Sequence, residues 1–273
     1  VNLNVKENPF NFFVMYNYNT ATNDNDGFTK RTNLYNGATV GYYDQTNIAS
    51  FRRGFQFGRF GFDYNINNRN SITLSGNIVQ GQFNTMDTQD SETSDSAHNL
   101  MLTGHRLNDS KSWFKNYTAQ IQYRKTFPTA GKELTSDLNF NHSYGGGNYL
   151  NTTENYLLSG TSPDPNLSNY YMNWSKSGSN MYNYQLDFVN PLNDYTKFET
   201  GVKANFSQSL NEQNTFFKTF ADANYYQDTS LTNHYSIDNL VTAAYVNYSS
   251  KKWGIGYQGG LRFESSYYKG TLL

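Results

Sequence analysis

Hydrophobic and polar positions alternate with a period of two along most of the chain, in windows of about ten residues. Over residues 197–207, Phe198, Thr200, Val202, Ala204 and Phe206 share one parity, and Glu199, Gly201, Lys203, Asn205 and Ser207 share the other. Residues 254–264 repeat the rhythm, with Ile255, Tyr257, Gly259, Leu261 and Phe263 against Gly256, Gln258, Gly260, Arg262 and Glu264. The same pattern runs through Tyr117–Arg124, Glu133–Phe140, Tyr182–Phe188, Ile72–Ile78 and Arg59–Ile66. It is blurred over Phe10–Asn17 by Phe13 and Met15, and weaker over 239–249. Residues 1–5 read as the tail of one further strand. Successive residues of a strand point to opposite faces, so about ten half-apolar strands are expected.

The connections between them alternate in length. Lys6–Pro9, Asn67–Asn70, Pro128–Lys132, Pro191–Thr196 and Ser250–Lys252 are short and hold Asn, Pro, Gly and Lys, which suit turns. The stretches at about 19–51, 82–114, 145–179 and 210–238 are long and rich in Asn, Ser, Asp, Thr and Gly, and are expected as loops. In an up-and-down sheet every second connection lies at the same end, so one end carries tight turns and the other large loops. Transmembrane β-barrels have this form, with short periplasmic turns, long extracellular loops and spans of about 9–11 tilted residues. The fold class expected is all-β, a transmembrane antiparallel up-and-down β-barrel forming one region over residues 1–273. A sheet that spans lipid has to close, because every backbone group must pair.

With so many strands the enclosed space is wide and wet, so the charged parity belongs inside. Arg59, Arg124, Asp137, Asp187, Lys203, Arg262 and Glu264 are the candidate lumen-facing residues, and Phe62, Leu74, Ile121, Leu138, Leu186, Phe188, Val202 and Leu261 the candidate lipid-facing ones. Tyr16, Tyr18, Tyr64, Phe127, Tyr144, Tyr182, Tyr248, Trp253 and Tyr267 fall near span ends, where aromatic girdles sit.

Composition narrows the choice. Among the 273 residues, hydrophobic types make up 36% and charged types 16%, against 17% aromatic with 24 Tyr and 20 Phe. Low aliphatic content without high net charge, combined with abundant strand-forming aromatics, argues for an all-β chain over a disordered one. The 21 basic and 22 acidic residues give a net charge of −1, which leaves no electrostatic footprint for nucleic acid. The absence of Cys removes disulfides, thiolate metal sites and Cys nucleophiles. No apolar run is long enough for a transmembrane helix, and the chain opens at Val1-Asn2-Leu3 with no leader pattern.

Four stretches carry a family resemblance: RRGFQFGRFGFDYNINNRNSITLSGN (Arg52–Asn77), FPTAGKELTSDLNFNHSY (Phe127–Tyr144), YQLDFVNPLNDYTKFETGVKANF (Tyr184–Phe206) and TAAYVNYSSKKWGIGYQGGLRFES (Thr242–Ser265). They resemble the outer-membrane β-barrel family of Bacteroidetes that is related to TonB-dependent receptors. The resemblance implies a large barrel of roughly 22 strands, preceded by a plug domain and a short segment that contacts TonB. Only about ten spans occur here, and no plug-like segment is visible, so the chain is read as an internal barrel fragment. The alternative is a smaller complete barrel.

Candidate chemistry is sparse. His98, His105, His142 and His234 show no metal-ligand spacing, and no cofactor is expected. His142 beside Ser143 is a thin hint of a hydrolase, which needs a His base within hydrogen-bond reach of the Ser; an enzyme is not the reading adopted. Asn23–Gly27 resembles the start of a calcium loop but lacks the Glu that should follow. Asp87, Asp90, Glu92 and Asp95 form a second acidic stretch, and Gly145–Gly147 lacks the residues of a phosphate cradle. Tyr149, Tyr156, Tyr170, Tyr171, Trp174, Tyr225 and Tyr226 either bind sugars or a protein partner, or pack together over the barrel mouth.

The function expected is an outer-membrane receptor or transporter of TonB-dependent type, with ligand contacts in loops and lumen. The alternative is a non-transporting barrel that serves as scaffold or subunit of an outer-membrane complex. The partners implied are outer-membrane lipid, TonB through the plug region, and a surface lipoprotein or other outer-membrane proteins.

Overall fold

In a computed structural model, residues 1–158 and 160–273 form one antiparallel sheet of eleven strands without helices. The strands are β1 (Asn2–Glu7), β2 (Phe10–Tyr35), β3 (Ala38–Asn67), β4 (Asn70–Asp95), β5 (Leu100–Thr126), β6 (Glu133–Leu157), β7 (Asn169–Asn193), β8 (Thr196–Thr219), β9 (Tyr226–Gln227), β10 (Asn233–Lys252) and β11 (Ile255–Leu272). Each pairs with its sequence neighbour, giving the order β1-β2-β3-β4-β5-β6-β7-β8-β10-β11; the short β9 pairs with β8. The up-and-down meander and the strand count agree with the alternation. The sheet does not close: β1 and β11 are its two edges.

The strands are far longer than a membrane span. β3 has 30 residues, about 100 Å at roughly 3.3 Å per residue. The stretches at 19–51, 82–114, 145–179 and 210–238, expected as loops, are instead mostly strand. The far-end connections shrink to 36–37, 96–99 and 220–232, with β6 and β7 joined between Leu157 and Asn169. The reason is solvation. Beyond the membrane both faces meet water, so the apolar–polar alternation that marks a half-buried strand disappears while the backbone ladder continues. Asn36 (φ 47°) and Gly37 (φ 81°) make the two-residue turn that closes β2 onto β3, the primed geometry that matches strand twist. Trp253 (φ 55°) and Gly254 (φ 80°) do the same between β10 and β11.

Register shows how the strands lean. Phe10, Tyr64, Ile72, Tyr123, Ser136, Leu186, Val202, Ala244 and Phe263 are successive partners across β2 to β11. Phe10 opens its strand, whereas Phe263 lies eight residues past Ile255. The near-end turns thus drop by one residue per strand. With a rise of about 3.3 Å and a strand spacing of about 4.8 Å, level turns require a tilt of about 35°, within the range of membrane barrels.

The sheet is a single layer. Among the described residues only Tyr170 and Ala243 are buried hydrophobic side chains. A soluble domain covers its apolar face with a second layer. Here Ile121, Leu138 and Val202 remain 49%, 43% and 44% exposed, so the cover has to come from outside the chain.

Candidate functional site

Register sorts the sequence candidates by face. Phe62, Leu74, Ile121 and Leu138 are successive partners. Leu186 pairs with Val202, Phe188 with Thr200, and Leu261 with Val246 on that same face. The apolar band is about ten residues deep: on β8 it runs from Phe198 to Phe206, which suits a tilted membrane span. Its far border carries Tyr18, Tyr117, Tyr144, Tyr182 and Tyr267. Its near border carries Phe127, Phe188 and Trp253, gripped by lysines. Lys132 Nζ lies 5.3 Å from the Phe127 ring and 5.6 Å from Phe188, and Lys252 Nζ lies 4.5 Å from Trp253. Amphipathic side chains of this kind mark membrane interfaces.

Arg59, Arg124, Asp137, Asp187, Lys203, Arg262 and Glu264 all lie on the opposite face, through rows such as Asp63–Thr73–Gln122–Asp137–Gln185–Lys203. This face is a hydrogen-bonded polar wall. Asp63 accepts from Asn11 Nδ2 at 2.9 Å and from Thr73 Oγ1 at 2.8 Å. Asp137 accepts from Gln120 Nε2 at 2.6 Å and also from Asn139. Asn116 and Asn141 exchange amide bonds at 3.2 and 3.1 Å. Arg124 pairs with Glu133 at 2.8 Å and Arg262 with Glu264 at 2.6 Å, while the Arg59 guanidinium stands 5.4 Å over the Phe13 ring.

One feature of this face escaped the sequence reading. Phe51, Phe55, Phe83 and Phe114 gather on it just beyond the level of the apolar band. Ring centroids are 6.2 Å apart for Phe51–Phe83, 6.1 Å for Phe83–Phe114 and 6.5 Å for Phe55–Phe114. Exposed Arg53 shares their parity, between Phe51 and Phe55. The signal was present as a change of phase. Along β3 the aromatics occupy odd positions at 51, 55 and 57, then even positions at 60, 62 and 64. The switch marks where the apolar side moves from the polar wall to the opposite face.

The remaining motifs dissolve into strands. His142 Nδ1 contacts Asn180 Oδ1 at 2.7 Å, and Ser143, the next residue of β6, points to the other face, so the two form no dyad. Asn23–Gly27 lies within β2, with Asp24 and Asp26 on one face and Asn23 and Asn25 on the other. Gly145–Gly147 lies inside β6. Among the described residues no three His, Asp or Glu side chains converge to hold a metal. In the far region Tyr156 and Tyr170 both donate to Glu154 at 2.9 Å. Burial, then this carboxylate, pushes the Tyr170 phenol up to about 12.

Residues 125–273 match the sequence profile described as the outer membrane protein beta-barrel family. That span takes in all of β6 to β11. No curated protein matches the chain.

Proposed function

The chain belongs to the outer membrane protein beta-barrel family, and from that footing we propose that it is a receptor-type transporter of the TonB-dependent kind, moving a ligand through the barrel. Its place is the outer membrane. The observation that carries the reading is the phenylalanine patch with Arg53 at the mouth of the polar wall. Four partly exposed phenyl rings on a face lined mainly by polar and charged side chains offer a sticky platform, and apolar patches of this kind mark contact sites. Arg53 is placed to add a charge contact beside the rings. Below it, Arg59 and Lys203 are among the cations of the polar wall that stand outside the Arg–Glu pairs described above. The sheet edges β1 and β11 need strand partners in hydrocarbon, which fits a larger barrel of the kind that the Bacteroidetes resemblance implies. Coupling to TonB would run through a plug domain ahead of the barrel.

A scaffold role is the second reading. It is favoured by strands that continue more than ten residues past the apolar band, a broad polar wall that partner lipoproteins or barrels can grip. Growth of a strain lacking the gene, tested on limiting metal chelates, cobalamins and glycans, separates the two. A defect confined to one solute class, restored by the wild type but not by Phe83→Ser with Phe114→Ser, is expected for uptake. Normal growth on every solute, with partner proteins retained on purification, would favour the scaffold.

A further inference from the structure

We propose that the apolar-parity face carries, immediately beyond the hydrocarbon band, a headgroup site for a phosphorylated lipid of the outer leaflet. The inference rests on the reading that this face looks toward lipid.

The site is a depression of about 530 Å³ across β2 to β5, lined by Tyr18, Gln56, Gln80, Gln82, Trp113 and Lys115. All six share the parity of the apolar band, whereas Gly81 and Phe114, which also border the depression, have the other parity. Tyr18, Gln56, Gln80 and Lys115 are successive partners, and the next row out holds Gly54, Gln82 and Trp113. Counted from the near end of each strand, they sit 8–13 residues up. The continuous run of apolar side chains ends at 7–9 residues on β3 to β5, with Phe60, Ile78 and Tyr117. A bilayer places its polar headgroup layer there, several ångströms beyond a core of about 30 Å. Gly54 keeps the depression open, since a Cβ on it would meet nothing within 4 Å.

Its chemistry selects an anion. Gln80 Nε2 donates to Gln56 Oε1 at 2.7 Å, which occupies that acceptor and leaves the Gln56 amide nitrogen free to donate outward. Gln82, the Trp113 indole and the Lys115 ammonium add donors. Lys115 stands 5.9 Å over the Tyr144 ring and makes no ion pair among the described residues. No carboxylate lines the depression. The nearest acid further along β5, Asp109, is held by Lys111 at 3.2 Å. On the far side of Trp113, Lys176 approaches across Gly146: a Cβ there would lie 3.7 Å from Trp113 Cζ2 and 3.6 Å from Lys176 Cγ. The aliphatic stem of Lys176 thus runs close to the same indole, while its ammonium stands 4.8 Å over the Trp174 ring. Fixed amide donors and a flexible ammonium, framed by two aromatic plates at the membrane surface, match a phosphate carried on a lipid.

The test is native mass spectrometry of the full-length protein in mild detergent, titrated with lipid A, with phosphatidylcholine and with inorganic phosphate. Retention of lipid A over phosphatidylcholine is expected, with about tenfold weaker binding in Lys115→Gln and recovery in Lys115→Arg. Equal lipid A retention by the wild type and Lys115→Gln would overturn the site. Binding of inorganic phosphate as tight as that of lipid A would make it a free-anion site and overturn the lipid assignment. A nitroxide on Val202→Cys tests the underlying reading separately. If that label in bilayers meets aqueous nickel chelate in place of oxygen, the face does not look at lipid. If it meets oxygen while Lys115→Gln changes nothing, only the headgroup site fails.

Discussion

The Tyr245 hydroxyl donates to Asp187 Oδ1 at 2.6 Å, although a whole strand lies between them. Asp187 is on β7 and Tyr245 on β10, and both pair in register with Gly201 of β8. The bond passes over the glycine. A Cβ at position 201 would lie 2.6 Å from Tyr245 Cε1 and would also collide with Asp187 Oδ1. Gly201→Val is therefore expected to break the bridge and destabilise the barrel by about 1–3 kcal/mol, read from reversible urea unfolding in lipid. Tyr245→Phe, which leaves Asp187 without this donor but adds no bulk, should cost less. Equal costs would mean that crowding at Gly201 is unimportant.

Adjacent residues of one strand test the two faces. Val202→Arg puts a cation on the apolar band, and a loss of about 2–4 kcal/mol is expected near mid-membrane. Lys203→Ala, on the polar wall, should change stability by no more than about 0.5 kcal/mol. The same unfolding assay reads both, and a reversed ranking would exchange the faces.

The hairpin closing β2 onto β3 depends on positive φ at Asn36 and Gly37. Gly37→Val forces a β-branched residue into the left-handed region, which costs an L-residue about 1–2 kcal/mol. The tip should fray and become cleavable by protease in intact cells or proteoliposomes, while the band stays protected. An uncut tip would show that the turn tolerates the strain.

Three aspartates fasten the far-end connections. Asp95 accepts from the Asn99 amide at 2.9 Å and from the backbone N–H groups of Asn99 and Ala97 at 2.8 and 2.9 Å, and these bonds hold its carboxyl below the ordinary 3.8. Thr219 and Ser230 act likewise on Asp222 and Asp228. A depressed folded pKa contributes stability that is present above the unfolded value and lost as pH falls through the folded one. Acidification below about pH 3.8 should therefore loosen residues 96–99 and 220–232 first. Hydrogen–deuterium exchange, corrected for its intrinsic pH dependence, should show those segments opening while 198–206 stays protected.

The chain's own pattern of residues determined the class of fold, the meander and the division of faces. Val202 against Lys203 and Leu261 against Arg262 were legible because neighbours along a strand point to opposite faces of the sheet, one apolar and one polar. That contrast fades toward the far ends of the strands. Asn23–Gly27 and Gly145–Gly147 read as loops because both sides of β2 and β6 are wet there, and only the backbone ladder shows them to be strand. The phenylalanine patch, the depression beside Trp113 and the Tyr245–Asp187 bridge were decided by register alone. Each joins residues from strands tens of positions apart, and a shift of one residue in pairing would scatter them to opposite faces.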